Sequence, residues 1–228
     1  MGMLRRSFLS SAAMTPLAAQ SAIEDVTCDV FVYGSTPGGV AAAVEAARRG
    51  ARTILACPQL HPGGMAASGL STTDAVRPQL FGGLVAEFVA LVRDHYVREL
   101  SGNPAELALV RDGWFYEPSV AQEAFQKLIE GAHERLRWLP AHWLNATAVK
   151  DRKVLSVEIE DASRRPFRVS ARTFIDGTYE GDLAAAAKVP YRVGREGRAE
   201  YGERFAGIHY MNWRTGEQIL TPDTCGSR

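Results

Sequence analysis

A short apolar run, a glycine-rich turn and an alanine-rich segment follow one another near the start of this chain. Residues 30–33 read Val-Phe-Val-Tyr, a run typical of a strand buried on both faces. Residues 34–39 read Gly-Ser-Thr-Pro-Gly-Gly, and residues 40–49 carry five alanines, which favour a helix. Residues 53–56 predict a second strand. Strand, helix and strand together predict a parallel pair with a right-handed crossover, and hence an α/β sheet.

The glycine turn predicts a site for the diphosphate of a dinucleotide. The first amides of a helix have no intrahelical partner, and the helix N-terminus attracts anions. In the dinucleotide fingerprint one glycine makes the turn, a second admits the phosphate, and a third lets the helix pack on the strand. Gly34 and Gly39 take the first and third roles, whereas Thr36 occupies the second. We predict that Gly34, Thr36, Pro37, Gly38 and Gly39 bind the cofactor; the alternative is an ordinary structural turn.

Cys57 ends the second predicted strand and departs from the fingerprint. An acidic residue about 20 residues beyond the glycines normally bonds the ribose hydroxyls. Counted from Gly39, that position falls on Cys57, and a thiol is a poor replacement for a carboxylate. We therefore predict Cys57 beside the ribose, with weakened recognition of its hydroxyls.

Charge and composition exclude several functions. The 26 acidic and 26 basic residues among 228 cancel, so no net field favours nucleic acid or a membrane surface. No apolar run reaches the roughly 18 residues of a membrane span. The five histidines lack ligand spacing, so we predict no metal site. The 46% hydrophobic content is enough for an ordinary core.

The first 22 residues have the pattern of an export signal. Arg5 and Arg6 are followed by Phe8 and Leu9, and then by a weakly apolar stretch rich in alanine. Small residues near positions 18–22 offer a cleavage site. We predict a twin-arginine-type signal peptide over residues 1–22 and an exported, periplasmic or extracellular protein. The alternative is a disordered tail with two chance arginines.

The three cysteines predict no disulfide framework. Cys28 precedes the first strand and Cys57 ends the second, so a parallel pair places them at opposite ends of the sheet. Four residues at about 3.3 Å each exceed the roughly 7 Å Cα separation that a disulfide allows. We predict that these two thiols are not paired.

Later segments predict further helices, strands and loops. Residues 60–74 are rich in glycine, serine and threonine, which predicts a loop at the ligand-binding edge of the sheet rather than a plain surface loop. Residues 81–100 have helical spacing of apolar side chains, and Ser119 with Gln122 predicts a capping box for another helix. Four apolar or alternating stretches, at 136–139, 146–150, 154–160 and 167–175, then predict a β-meander that is followed by a final strand at 173–175. The turn at 176–182 is too acidic for phosphate and either bonds hydroxyls or caps a helix.

Five stretches together resemble the FAD-dependent oxidoreductases of the glutathione-reductase-like two-dinucleotide fold. The similarity is greatest to an exported, xanthan-lyase-like subgroup. The stretches are Gly34 to Gly39, His61 to Met65, Phe81 to Tyr96, Tyr116 to Pro118 and Phe174 to Leu183. The resemblance implies that FAD is the cofactor and that Gly63, Gly64 and Met65 lie along the flavin and its diphosphate. It also places near the cofactor a turn containing Asp176, Gly177, Thr178 and Asp182.

The resemblance further implies a fold and domain boundaries. The expected fold class is α/β, a Rossmann-like parallel sheet with flanking helices and a β-meander of the FAD/NAD(P)-binding type. Residues 28–207 would form the FAD-binding domain, and residues 208–228 a polar tail or the start of a substrate domain. Family members are usually longer and return to the FAD domain after a substrate domain. We therefore predict an amino-terminal fragment, incomplete at the carboxyl end.

Three functional hypotheses follow. The leading one is an exported FAD-dependent oxidoreductase that passes a hydride from a small-molecule substrate to the flavin. The second is a truncated, non-catalytic fragment of such an enzyme. The third is an NAD-binding Rossmann enzyme, against which the Gly63–Met65 loop and the acidic turn at 176–182 argue. No residue is singled out as a catalytic acid or base, and the oligomeric state is left open.

Overall fold

The computed structural model describes residues 23–75 and 77–221. The predicted signal peptide at 1–22 and the last seven residues, 222–228, lie outside the described residues. The strands are Glu24–Tyr33 (β1), Thr53–Ala56 (β2), Leu136–Leu139 (β3), Trp143–Lys150 (β4), Lys153–Glu160 (β5), Pro166–Asp176 (β6), Ile208–Met211 (β7) and Gln218–Thr221 (β8). The α-helices are Pro37–Arg48 (α1), Gly83–Glu99 (α2), Pro104–Leu107 (α3), Pro118–Glu130 (α4), Asp182–Ala186 (α5) and Arg198–Tyr201 (α6). Short 3-10 helices span Gly64–Ala67, Pro78–Leu80 and Ala108–Gly113.

A mixed six-stranded sheet organises the chain, in the order β3-β2-β1-β6-β5-β4. β1 is parallel to both β2 and β6, and β2 is parallel to β3. The predicted parallel pair of β1 and β2 is confirmed. Its register places Val30 opposite Thr53 and Tyr33 opposite Ala56. The predicted Rossmann-like α/β architecture is therefore confirmed, with β1 near the centre of the sheet.

The predicted extent of the meander is wrong at both ends. Leu136–Leu139 was expected in the meander but is the parallel edge strand beside β2. Within the six-stranded sheet, only the consecutive strands β4, β5 and β6 pair antiparallel. The predicted final strand at 173–175 is not separate, because it is the last part of β6. β6 pairs with β5 through its first half and with β1 along Phe167–Asp176, so one long strand serves both parts of the sheet.

Side chains of the central strands alternate between two cores, as the strand period requires. Val32 and Leu55 point to the face covered by α1, α2 and α4. Phe31 and Ile54 point to the other face, where they join Val157 of β5. Both faces of the parallel half are therefore buried, which agrees with the continuous apolar run in the sequence.

The predicted capping box at Ser119 is wrong. Glu117 is the N-cap of α4 and Pro118 is its first residue, a position where the missing proline amide costs no hydrogen bond. The side chain of Gln122 instead donates to Nδ1 of His61 at 2.7 Å. The pattern was misleading because Pro118 starts the helix before Ser119 can cap it.

The carboxyl-terminal segment contains regular structure. β7 and β8 pair antiparallel, so part of the predicted tail at 208–228 forms a hairpin. Within the described ranges, no helix combines the length and apolar character that crossing a membrane requires.

Cys28 and Cys57 are both free and buried. Burial, aided by the nearby charge of Asp29, raises the pKa of the Cys28 thiol from 9.0 to about 11. Below pH 9 the thiol is neutral in both the folded and the unfolded chain. Between pH 9 and 11 it releases its proton mainly in the unfolded chain. We therefore expect this residue to lower the free energy of unfolding by about 2 kcal/mol at pH 10.5.

Urea unfolding of wild type and Cys28→Ala at pH 7.5 and pH 10.5 tests this expectation, because the alanine variant lacks the titrating thiol. The variant should lose less stability than wild type between the two pH values. Equal losses in the two proteins would contradict it.

Candidate functional site

Three glycines bring two turns into backbone contact at the carboxyl ends of β1 and β6. Gly34 has a φ of 103°, and a Cβ added there would lie 2.5 Å from the carbonyl carbon of Gly177. A Cβ on Gly39 would lie 2.0 Å from the Gly34 oxygen, and one on Gly177 would lie 2.7 Å from the same oxygen. The turn after β1, the start of α1 and the turn after β6 thus pack without room for a side chain. We refer to Gly34, Gly39 and Gly177 as the glycine junction.

Thr36 caps α1 and joins the same two turns. Its hydroxyl oxygen accepts from the Gly39 amide at 3.2 Å, and its hydroxyl donates to the Gly177 carbonyl at 2.7 Å. A glycine at this second position of the fingerprint would provide neither bond. The departure from the fingerprint therefore has a structural role.

The front of α1 is open to an anion. Pro37 is its first residue, and the first turn contains no acidic side chain. A Cβ added at Gly38 would have Thr36 Oγ1, at 3.9 Å, as its nearest neighbour. The amide of Gly38 has no hydrogen-bond acceptor among the described residues. This free amide and the positive end of the helix dipole fit a diphosphate at this place.

A cleft of about 200 Å³ opens beside the glycine junction. It is lined by Gly34, Ser35, Thr36, Pro58, Gln59, His61, Gly64, Met65, Ser68, Thr178, Tyr179, Glu180 and Asp182. The structure therefore brings together the three segments in which the sequence predicted site residues: the first turn, the loop after β2 and the turn after β6. The predicted residues Pro37, Gly38, Gly39, Cys57, Gly63, Asp176 and Gly177 support this cleft or flank it without lining it.

Cys57 lies beneath the cleft and is fully buried. Its sulfur accepts from the Ser35 hydroxyl at 3.0 Å, and its thiol donates to the Gln59 carbonyl at 3.2 Å. Burial raises the pKa of the thiol, so the group stays neutral. The residues that line the cleft next to it are Pro58 and Gln59, which sequence reasoning did not select.

The loop after β2 is fixed to the first turn by its glycines. The Gly63 amide donates to the Ser35 carbonyl at 2.8 Å, and Gly63 has a φ of 104°. A Cβ there would lie 2.4 Å from Cδ2 of Phe125. The loop thus needs a glycine both for its backbone angle and for its contact with α4, while Gly64 and Met65 face the cleft.

Tyr179 bridges the cleft. Its hydroxyl oxygen accepts from the Met65 amide at 2.8 Å, and a Cβ on Gly64 would lie 2.4 Å from that oxygen. The bond joins residues 114 positions apart. Because no local pattern pairs such distant residues, sequence reasoning missed Tyr179 although it lies in one of the stretches that carried the family resemblance.

Asp176 caps a helix. Its carboxylate accepts from the amide and hydroxyl of Thr178, at 2.9 and 2.7 Å, and from the amide of Ala184 in α5 at 2.8 Å. Of the two alternatives for this acidic turn, the structure assigns Asp176 to helix capping. Asp182 lines the cleft instead, and burial, followed by the charges of Glu180 and Asp176, raises the pKa of its carboxyl.

These features define a class of protein. A parallel strand-helix-strand unit, a glycine junction at its turn and an open helix front are the elements of a dinucleotide-binding α/β domain. In the part of the chain that the structure describes, no group of three or more His, Cys, Asp or Glu side chains forms a metal site.

Comparison with protein families identifies the cofactor. The profile of the family described as FAD dependent oxidoreductase matches residues 29–221. The chain therefore belongs to the FAD dependent oxidoreductase family, and FAD is the cofactor that this membership assigns. No curated protein sequence matches the chain.

Solved structures resemble the chain distantly. L-proline dehydrogenase from P. horikoshii is 14% identical with a TM-score of 0.43, over 68% of this chain and 23% of that one. The myxobacterial chondrochloren halogenase CndH is 15% identical with a TM-score of 0.47, over 75% of this chain and 41% of the halogenase. THI4 of Thermovibrio ammonificans is 13% identical with a TM-score of 0.47, over 78% of this chain and 64% of THI4. The chain thus spans less than two thirds of each of these proteins.

Proposed function

We propose that this chain forms the cofactor-binding part of an oxidoreductase that takes a hydride from a small-molecule substrate. The observation that carries the proposal is the glycine junction with the open front of α1 above it. FAD, when bound, supplies the hydride acceptor, and the protein supplies binding, orientation and electrostatics.

Different residues around the cleft would contact different parts of FAD. The free Gly38 amide and the positive end of the α1 dipole would hold the diphosphate. Gln59, next to the buried Cys57, is placed to bond the ribose hydroxyls. Gly64, Met65 and Tyr179 would lie along the flavin, where their backbone and aromatic ring offer a flat surface. The acidic side chains of Glu180 and Asp182 favour the hydroxyl-bearing part of the cofactor over its phosphates, because like charges repel.

Titration of the purified chain with FAD tests the proposal. We expect flavin fluorescence to be quenched on binding, and the bound flavin to be released on denaturation. ADP should compete with FAD because it carries the diphosphate, whereas riboflavin should compete poorly. A chain that is soluble and folded but leaves flavin fluorescence unchanged would overturn the proposal.

The second candidate is a fragment that binds the cofactor without turnover. Its support is that the chain spans only 23–64% of the three proteins of known structure described above. One measurement distinguishes the two candidates: visible flavin absorbance after substrates are added without oxygen. An active oxidoreductase reduces the flavin, so the absorbance falls, whereas a fragment without turnover leaves it unchanged. A chain that retains FAD but shows no such loss with any of a broad set of alcohols, amines and acids favours the fragment.

Export and membership of the xanthan-lyase-like subgroup are part of the same proposal. The arginine pair Arg5-Arg6 and the alanine-bearing stretch after it support export by the twin-arginine route, which carries folded proteins. We expect Arg5→Lys combined with Arg6→Lys to leave the protein in the cytoplasm, as followed by cell fractionation. Equal export of the double variant and wild type would contradict a twin-arginine signal.

Cys57→Glu should tighten FAD binding. A carboxylate at the end of β2 gives the ribose hydroxyls a charged acceptor, and such a bond contributes about 1.5 kcal/mol, equivalent to about tenfold in the dissociation constant. Cys57→Ser is the matched control, because it keeps the size and neutrality of the side chain and should leave affinity unchanged. Fluorescence titration gives both constants, and thermal unfolding checks that each variant is folded. Equal affinities of Cys57→Glu and wild type would contradict the ribose argument.

A further inference from the structure

A second pocket, of about 240 Å³, lies on the far side of the wall that bounds the cofactor cleft. Ala66 lines this pocket, whereas its neighbour Met65 lines the cleft. Pro37 likewise lines the pocket, whereas Thr36 lines the cleft. One 3-10 turn and the first residues of α1 therefore separate the two spaces.

The pocket wall is aromatic and uncharged. Phe81, Phe88, Trp114 and Phe125 contribute their rings, and α2 adds aliphatic side chains. No lining residue carries a formal charge. An ionised group in such surroundings would lose its hydration without a compensating partner, so the wall selects a neutral, apolar molecule.

The hydroxyl groups of Thr73 and Tyr116 form a polar patch in the otherwise apolar wall of the pocket. Thr73 Oγ1 and the Tyr116 hydroxyl lie 3.3 Å apart, and both residues line the space. Tyr116 is only 6% exposed. Among the lining residues, the indole of Trp114 is the other polar side-chain group. The hydroxyl pair can both donate and accept, so it suits a ligand with a single hydroxyl or carbonyl group.

The segment that carries Trp114 and Tyr116 is held in an unusual conformation. Arg111, Asp112 and Gly113 have φ values of 44°, 54° and 93°, which ordinary side chains rarely adopt. The Trp114 carbonyl then accepts from the Thr73 amide at 3.1 Å, which fixes the wall. Strain of this kind persists where the surrounding structure determines it, and it clusters at ligand sites.

We propose that this pocket is a separate ligand site, which binds an uncharged single-ring compound with one hydroxyl or carbonyl group, bonded by Thr73 and Tyr116. The wall between the pocket and the cofactor cleft keeps this ring away from the flavin, so the ligand site is distinct from the site of the proposed hydride transfer. The volume supports a single ring with small substituents, because an apolar cavity of about 150 Å³ accommodates benzene.

Binding of 4-methylphenol, toluene and 4-methylbenzoate to the full chain, with and without FAD, tests the assignment by calorimetry. We expect 4-methylphenol to bind more tightly than toluene and 4-methylbenzoate not to bind. Leu84→Trp fills the pocket from α2 and should weaken 4-methylphenol binding at least tenfold. Val97→Trp, on the same helix outside the pocket, is the control and should change nothing. Thr73→Val with Tyr116→Phe should abolish the preference for 4-methylphenol over toluene.

The outcomes separate this proposal from the proposed function. FAD binding without 4-methylphenol binding, or equal affinity of wild type and Leu84→Trp, would overturn the pocket alone. Binding of 4-methylphenol that Leu84→Trp weakens, in a chain that does not bind FAD, would support the pocket as a ligand site and overturn the proposed function alone. Retention of the 4-methylphenol preference in the double variant would overturn the assigned role of the hydroxyl pair.

Discussion

We expect Gly39→Ala to abolish measurable FAD binding and to lower the free energy of unfolding by about 3 kcal/mol, the upper end of the usual cost of overpacking. The added Cβ would lie 2.0 Å from the carbonyl oxygen of Gly34, which is backbone and has no rotamer to change. Either α1 moves away from β1 or the turn after β1 opens. Both changes displace the Gly38 amide that would hold the diphosphate. Urea unfolding and FAD titration of the same sample measure the two effects.

Gly38→Ala is the matched control for this prediction. It makes the same chemical change one residue earlier, where the added Cβ has no neighbour closer than 3.9 Å. We expect stability to be retained or to rise by up to about 1 kcal/mol, because alanine favours a helix more than glycine does. FAD affinity should stay near that of wild type. Equal behaviour of the two variants would show that the glycine junction does not set the geometry of the turn.

Asp176→Ala is expected to cost about 3 kcal/mol and to weaken FAD binding at least tenfold. The substitution removes three hydrogen bonds to a charged acceptor and leaves the Thr178 and Ala184 amides unpaired. Without its cap, α5 should fray, and the turn that carries Tyr179 should lose its position over the cleft. Thermal unfolding and flavin titration measure the loss of stability and of affinity.

Asp161→Ala provides the comparison. Asp161 also accepts backbone amides, from Ser163 at 2.8 Å and Arg165 at 3.0 Å, but it does so in the hairpin between β5 and β6, outside the cleft. The variant should lose some stability and keep its FAD affinity. If both aspartate variants lost affinity in proportion to stability, the effect of Asp176 on the cofactor would be a general consequence of destabilisation.

Much of the parallel half of the fold could be predicted because its signals are local. The strand Val30–Tyr33, the glycine turn and the alanine-rich helix each follow from a few adjacent residues, and their order implies a parallel pair. The placement of Leu136–Leu139 could not be predicted, because a four-residue apolar run does not specify which strand it pairs with. Ser119 was misassigned because a capping pattern and an N-terminal proline compete at neighbouring positions.

In the candidate site, too, residues with a local sequence signal could be predicted, and residues brought together by distant contacts could not. Gly34, Thr36 and Gly39 could be selected as candidates because the fingerprint fixes their spacing. Tyr179 was missed because its partner Met65 is 114 residues away, and only the folded chain brings the two together. The pocket built around Thr73 and Tyr116 also depends on contacts between distant segments, which composition and periodicity do not encode.

We infer that the free Gly38 amide at the front of α1 holds the diphosphate. Titration of ¹⁵N-glycine-labelled protein with ADP, followed by amide chemical shifts, tests it most directly. We expect the Gly38 and Gly39 resonances to shift with ADP concentration, while those of Gly102 and Gly216, in turns outside the cleft, stay fixed. ADP binding that leaves Gly38 and Gly39 unshifted would contradict the account.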